Sequence, residues 1–237
     1  MNTIYMGWDS REEEAYSIAR ESILRRATEP LKIIPLKLQH LRRLLNRPIE
    51  HRDGQLWCPI SRAPMSTEFA ISRFCVPFME EGWALFCDCD VLCWEDIGNL
   101  FALADPAYAV MVVKHKQETG DKVKMDGQIQ TYYARKNWSS VILYNCAHPA
   151  HATLTLPRLN GWPGRDLHAF KWLSDEEIGE LPLKWNWLVN VTEGMAVPEG
   201  MWHYTLGGPW IKGWEPKPYD AAWRAEKWLQ HKQEMVA

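Results

Sequence analysis

The sequence predicts an α/β fold, with a sheet that opens on parallel strands and helices on both faces, on three observations. The first 36 residues read strand, helix, strand. A right-handed crossover makes two such strands parallel. The third is size: 237 residues, 46% of them hydrophobic, suffice for one well-packed core.

Thr3 to Gly7 reads as the first strand, and Ser10-Arg11-Glu12-Glu13 has the form of a capping box, predicting a helix to about Ala27. Ala15, Ile18, Ala19, Ser22 and Ile23 share one face of that helix, and Leu31 to Leu36 forms the second strand. Asn46 to Pro64 carries prolines and charges without a period, so an irregular excursion is expected. Ser66 or Thr67 then caps a helix to roughly Cys75, and Pro77 and Gly82 close that region before a strand beginning at Trp83. Further strands are expected at Tyr108 to Lys114 and Val141 to Asn145, with the polar stretch Gln117 to Gln130 between them as a mobile loop. Ser174 to Glu177 is a second capping box, and a final helix runs from Asp220 to about Glu234.

The net charge of −3, with both signs interspersed, gives no broad electrostatic footprint for nucleic acid and leaves membrane contact peripheral at most. No apolar run of membrane-spanning length occurs, and the first residues lack a basic stretch followed by an apolar one, so a cytoplasmic location is expected. Six cysteines, at 58, 75, 87, 89, 93 and 146, fall mostly in apolar runs and are expected to be buried and reduced. Fourteen tryptophans can line a carbohydrate site or pack a core.

The run Trp83-Ala-Leu-Phe-Cys-Asp-Cys-Asp-Val91 places Asp88 and Asp90 where an apolar strand should continue. Alternation along a strand gives Phe86, Asp88 and Asp90 one direction and Leu85, Cys87, Cys89 and Val91 the other. Ligands of parallel α/β sheets bind at the carboxyl ends of the strands, and there a divalent cation would relieve the repulsion between the two acids. Hard oxygen ligands favour Mg²⁺ or Mn²⁺, commonly with a phosphate as partner. The alternative is a strand that turns outward and leaves both acids solvated. Zinc at Cys87, Cys89 and Cys93 lacks a second distant pair at the usual spacing.

Four segments carry a family resemblance. The run Ser66 to Leu92, with Arg73 upstream of the aspartates, resembles the central segment of glycosyltransferase family 8, the group that contains glycogenin and bacterial lipopolysaccharide galactosyltransferases. Asn137 to Asn145, Leu181-Pro-Leu-Lys-Trp-Asn186 and His203-Tyr-Thr-Leu-Gly-Gly-Pro-Trp210 are similar to three further motifs of that family, in family order. Ile4 to Tyr16 resembles a bacterial branch of such transferases.

The resemblance implies a GT-A fold with a mixed, mostly parallel central sheet and a Rossmann-like nucleotide-binding half, about residues 1–105. It implies an acceptor-binding half with the metal-ligand loop, about 106–219, and then a C-terminal helix, 220–237. Asp88, Asp90 and His203 would hold Mn²⁺ or Mg²⁺ against the diphosphate of a nucleotide-sugar donor, a UDP-sugar by preference. Gly7, Asp9, Arg11 and Tyr16 would face the nucleoside, Arg73 would support the aspartates or donor, and Trp138, Ser139 and Ser140 would border the donor sugar. Gly207 and Gly208 belong to the phosphate loop. There Gly208 replaces the family's Lys, so Lys212 or Lys217 would have to supply that contact. Asp166-Leu167-His168 is the nearest counterpart of the family's Asp-Gln-Asp segment, which puts Asp166 and His168 beside the reacting sugar. The implied activity is hexosyl transfer with retention to a glycan, lipid-linked or protein glycoconjugate acceptor. An inverting transferase with Asp166 or His168 as base, a binding protein without transfer, and a nucleotidyltransferase are the competing readings.

Overall fold

Ile4, Tyr5 and Met6 follow one another without a polar residue because both faces of their strand are covered. That strand, β1 (Asn2–Gly7), leads through α1 (Glu13–Arg26) to β2 (Leu31–Leu36), which pairs with it in parallel. The computed structural model describes residues 1–116, 122–123, 129–130, 135–192 and 197–236. The expected mobile loop, Gln117 to Gln130, lies outside these apart from residues 122–123 and 129–130.

The first capping box does not form. Ser10 Oγ donates to Glu68, Asp9 accepts from the Arg11 N–H, and the helix starts at Glu13 without a side-chain cap. Residues 46–64 are also more ordered than expected. β3 (Glu50–Arg52), β4 (Gln55–Cys58) and β5 (Ala63–Met65) form a small antiparallel sheet. Its first hairpin turns at Asp53-Gly54, both with positive φ (50° and 78°), the Asp-Gly signal of a tight hairpin.

No α-helix forms between Ser66 and Cys75. The chain makes turns and then a 3-10 run, Ser72–Phe78, containing Pro77. Phe69 through Val76 are all buried, so packing on every side replaces the one-sided pattern of a surface helix.

β6 (Trp83–Cys87) stops before the aspartates, the chain bends, and β7 (Val91–Cys93) leaves in a second sheet. Asp88 and Asp90 therefore occupy a bend rather than one strand face. Next come α2 (Gly98–Phe101), β8 (Val110–Val112), the two-residue strands β9 (Lys122–Val123) and β10 (Ile129–Gln130), and β11 (Val141–Asn145). β8 is shorter than expected because its ladder with β11 spans only Val110 to Val112. α3 (Leu156–Gly161), α4 (Gly164–His168), β12 (Ile178–Glu180), β13 (Trp187–Leu188), β14 (Met201–His203) and α5 (Asp220–Val236) complete the chain. The second capping box is present, with Glu177 accepting from Ser174 N at 2.7 Å, but it closes one 3-10 turn because β12 follows at once.

The central sheet has the order β12-β8-β11-β6-β1-β2. Only β11 runs against the others, so the sheet is mixed and mostly parallel. β1, β6 and β11 meet the 3-10 run, while α1 packs on β7 of the second sheet and on α5 and contributes Ala19 and Ile23 to the core of the central sheet. Phe86 lies 4.9 Å beneath the guanidinium of Arg73 in the 3-10 run. All six cysteines are buried and unbridged. The tryptophans mainly pack: Trp185, Trp187 and Trp223 are fully buried, and Trp223 seats α5 against Ala15 and Ile18 of α1. No described helix is long and apolar enough to cross a membrane.

Candidate functional site

The bend after β6 is fixed from both sides. Asp88 N–H donates to Ser140 O at 2.9 Å, extending the β11 ladder by one bond, and Tyr204 N–H donates to Asp90 O at 2.8 Å. β14 pairs antiparallel with β7 so that His203 stands opposite Val91, one residue beyond Asp90. This register delivers the imidazole to the carboxylates: His203 Nε2 lies 3.3 Å from Asp90 Oδ1 and 3.8 Å from Asp88 Oδ2. One ligand atom from each of Asp88, Asp90 and His203 lies within 4.8 Å of the others.

Asn186 closes the preceding 3-10 turn, fully buried. Its Nδ2 donates to Asn137 O at 3.1 Å, so its Oδ1 is the atom that meets His203 Nδ1 at 2.9 Å. An amide oxygen only accepts, which puts the proton on Nδ1 and leaves Nε2 turned toward the carboxylates as a ligand. Two carboxylates and one imidazole suit a hard divalent cation, Mn²⁺ or Mg²⁺, and the paired acids are best accommodated with one.

Arg73 is buried with the cluster. Its Nη1 lies 2.8 Å from Asp88 Oδ1 and donates to Ser139 O at 2.7 Å, and its guanidinium faces Phe69 and Phe86. Ser139 Oγ is 2.7 Å from His168 Nδ1. Burial, with the charge of Arg73 nearby, holds the His168 pKa well below the ordinary histidine value. Arg73, Asp88, Ser139, Ser140, His168 and His203 line one cavity of about 330 Å³. A larger one of about 550 Å³, lined by Leu38, Arg47 and Cys58 among others, shares Met65 and Ile71 with it but holds no ligand cluster.

Other expected site residues are placed elsewhere. Asp166 lies 2.7 Å from Lys171 Nζ, while His168, two residues on, faces the cavity. Asp9 is fully buried, and its oxygens accept from Arg11 N, Nε and Nη2 and from Glu68 N. Burial raises its pKa, but these donors outweigh burial and hold it below the ordinary aspartate value. Arg11 also donates to Ser66 O at 2.8 Å, so Asp9 and Arg11 fasten the first strand-to-helix turn to the segment before the 3-10 run. Gly7 packs against Phe69, where a Cβ would come within 2.5 Å of the ring. Tyr16 is half-buried on α1, and Trp138 donates from Nε1 to His115 O at 3.1 Å.

Gly207 holds φ at 102°, and a Cβ on Gly208 would strike the Trp210 ring. Both glycines therefore serve the close turn after His203. Lys212 is exposed, and Lys217 stacks 4.9 Å from the Trp214 ring; among the described residues the cations on the cavity wall are instead Arg62, Arg73, Lys136 and Arg165. Thr205 and the half-buried His115 were not singled out from the sequence, although Thr205 sits inside the quoted His203 loop; Asn137, also on the cavity wall, opens the quoted segment Asn137 to Asn145. Burial pushes the His115 pKa down to about 4, with His203 adding to the effect.

No family model matches the chain. Over 230 residues it is 40% identical to Protein CDI of Arabidopsis thaliana, across 94% of this chain and 85% of that protein. The chain belongs to the Protein CDI family. Among solved structures, this CDI-family chain resembles the glycosyltransferase GlyE of Streptococcus pneumoniae TIGR4, with a TM-score of 0.57 and 15% identity over 95% of the chain. It resembles the galactosyltransferase LgtC, solved with donor and acceptor sugar analogs, with a TM-score of 0.53 and 12% identity over 97% of this chain and 95% of that one. It also resembles the bifunctional WbbM, with a TM-score of 0.56 and 14% identity. The chain spans about half the length of WbbM and 60% of GlyE. At such identities the likeness is one of fold, and the fold of this CDI-family chain is GT-A.

Proposed function

We propose that the chain is a metal-dependent glycosyltransferase of the family 8 type, taking a sugar from a nucleotide-sugar, by preference a UDP-sugar, to a glycan or glycoconjugate acceptor. The convergence of Asp88, Asp90 and His203 beside a cavity at the end of β6, within a GT-A fold, carries this reading. In it, residues 1–105 bind the nucleotide, 106–219 meet the acceptor, and the reaction takes place in the cytoplasm.

Asp88, Asp90 and His203 would hold Mn²⁺ or Mg²⁺, which supplies electrostatic stabilisation of the charge that develops on a leaving diphosphate. Arg73 holds Asp88 in place and donates to the Ser139 carbonyl, tying the segment before β11 to the aspartates. Asn186 fixes the His203 tautomer. Ser139, Ser140 and His168 would border the sugar, whose anomeric carbon gains oxocarbenium character as its bond to the phosphate breaks. Retention is the favoured course because the cavity histidine is a weak base: burial and Arg73 lower the His168 pKa, and Asp166 is engaged by Lys171.

A donor screen tests the reading. The protein is incubated with Mn²⁺ and single nucleotide-sugars, and release of nucleoside diphosphate is followed. Turnover of one donor, lost in Asp88→Asn and Asp90→Asn, is the expected result. If no nucleotide-sugar binds or turns over and both variants leave metal and nucleotide affinity unchanged, the proposal fails.

A further inference from the structure

Arg62 and Arg165 are brought together by one hydrogen bond. Ser61 Oγ accepts from Gly164 N at 2.8 Å, and each arginine is the next residue after one member of that bond. Both line the 330 Å³ cavity. Arg165 lies three residues before His168 on α4, a spacing that shares a helix face.

The backbone holding Arg62 is built for it. Its φ is 51°, in the left-handed region that a long side chain rarely adopts. The turn is clamped from beneath: Cys58 Sγ accepts from Ser61 N at 3.4 Å and from Arg47 Nη2 at 3.2 Å. Arg47 in turn donates to Leu159 O and Trp162 O, 3.0 and 2.7 Å away, which ties the β4–β5 turn to the segment before α4. Such a conformation persists only where surrounding contacts over-determine it, as these do, and residues held this way cluster at ligand-binding sites.

The charges point the same way. Asp88 is the single carboxylate among the described lining residues, and Arg73 answers it at 2.8 Å. The carboxylate nearest Arg165 is Asp166 at 3.7 Å, which Lys171 already engages at 2.7 Å. Two like charges at one rim repel, and an anion between them removes the repulsion. The donor's diphosphate is assigned to the buried cluster of Asp88, Asp90 and His203 beside Arg73, so the anion at this exposed rim is read as one carried by the second substrate. The side chain of Arg165 is 75% exposed and Arg62 is exposed, so the pair sits at the mouth, where a second substrate enters.

We infer that Arg62 and Arg165 recognise an acidic group, a carboxylate or a phosphate, on the acceptor. The acceptor is then an acidic glycan or glycoside. This rests on the transferase reading and specifies its second substrate.

The test measures binding of p-nitrophenyl β-D-glucuronide, p-nitrophenyl β-D-glucoside 6-phosphate and the neutral glucoside, with and without UDP and Mg²⁺. Charge-assisted hydrogen bonds should make one acidic probe bind at least about tenfold more tightly than the neutral one. The identity of that probe tells carboxylate from phosphate. Arg62→Ala with Arg165→Ala should reduce the preference below about threefold, Arg62→Lys should keep part of it, and 0.5 M salt should weaken it. Equal binding of all three probes, or binding of none, overturns the inference. So does a double variant that loses UDP affinity while keeping the acid preference, since the rim would then serve the donor. UDP binding without acid preference leaves the transferase reading standing, whereas acid preference without UDP binding sinks that reading and leaves the rim assignment intact.

Discussion

Replacing Asn186 by leucine removes the acceptor that fixes His203, without touching a metal ligand. Asn186 is fully buried, accepts from His203 Nδ1 at 2.9 Å and donates to Asn137 O at 3.1 Å. Loss of a hydrogen-bond partner behind a ligating histidine typically lowers metal affinity about 10–100-fold, or about 1.4–2.7 kcal/mol. Stranding the buried Nδ1–H and the Asn137 carbonyl should also lower folding stability by about 1–3 kcal/mol. The assay is Mn²⁺ titration followed by electron paramagnetic resonance, beside urea unfolding of the metal-free protein. Asn186→Asp keeps an acceptor at Nδ1, so it should retain more affinity than Asn186→Leu. A folded Asn186→Leu protein that binds Mn²⁺ as tightly as the parent would refute the argument that this bond orients His203.

Gly7→Ala should act at a distance: its Cβ would press on Phe69, which underlies Arg73, so a melting temperature lowered by the equivalent of about 1–3 kcal/mol should accompany weaker metal binding. Three histidines largely withdrawn from solvent make the protein acid-labile. His115, His151 and His168 all have folded pKa values below the unfolded value, so the unfolded chain takes up protons first as pH falls, and stability present at pH 7 is lost from about pH 6.5 downward. For His115, with its pKa about 4, the loss reaches about 1.4 kcal/mol at pH 5.5; unfolding of the metal-free protein should show it, and a midpoint equal at pH 7 and 5.5 would contradict it. Trp223→Ala should cost about 3–5 kcal/mol because the side chain is fully buried between α1 and α5, whereas Trp228→Ala, 56% exposed, should cost less than about 1 kcal/mol in the same denaturant series.

The fold was legible where local pattern and burial agree. The β1-α1-β2 opening and the limits of β11 follow from apolar periodicity, which belongs to the sequence. The Asp53-Gly54 hairpin was also written in the chain, although the prolines and charges around it obscure the short strands. The helix expected from Ser66 failed for a different reason: residues buried on every side carry no amphipathic period, so propensity and capping signals are overridden by packing.

The candidate site divides along the same line. The sequence by itself determined the available chemistry: Asp88, Asp90 and His203 are residue types that can donate to a divalent cation, and those types do not depend on the fold. Only the tertiary structure decided that the carboxylates meet at a bend between two sheets, that β14 brings His203 across 113 positions of chain to Asp90, and that Asn186 rather than a charged residue orients it. It also decided that Lys212 stands outside the cavity while Arg62 and Arg165 stand at its mouth. Composition and spacing report what a side chain can do, but which side chains share a cavity depends on long-range pairings and sterics, and a linear pattern does not encode these one residue at a time.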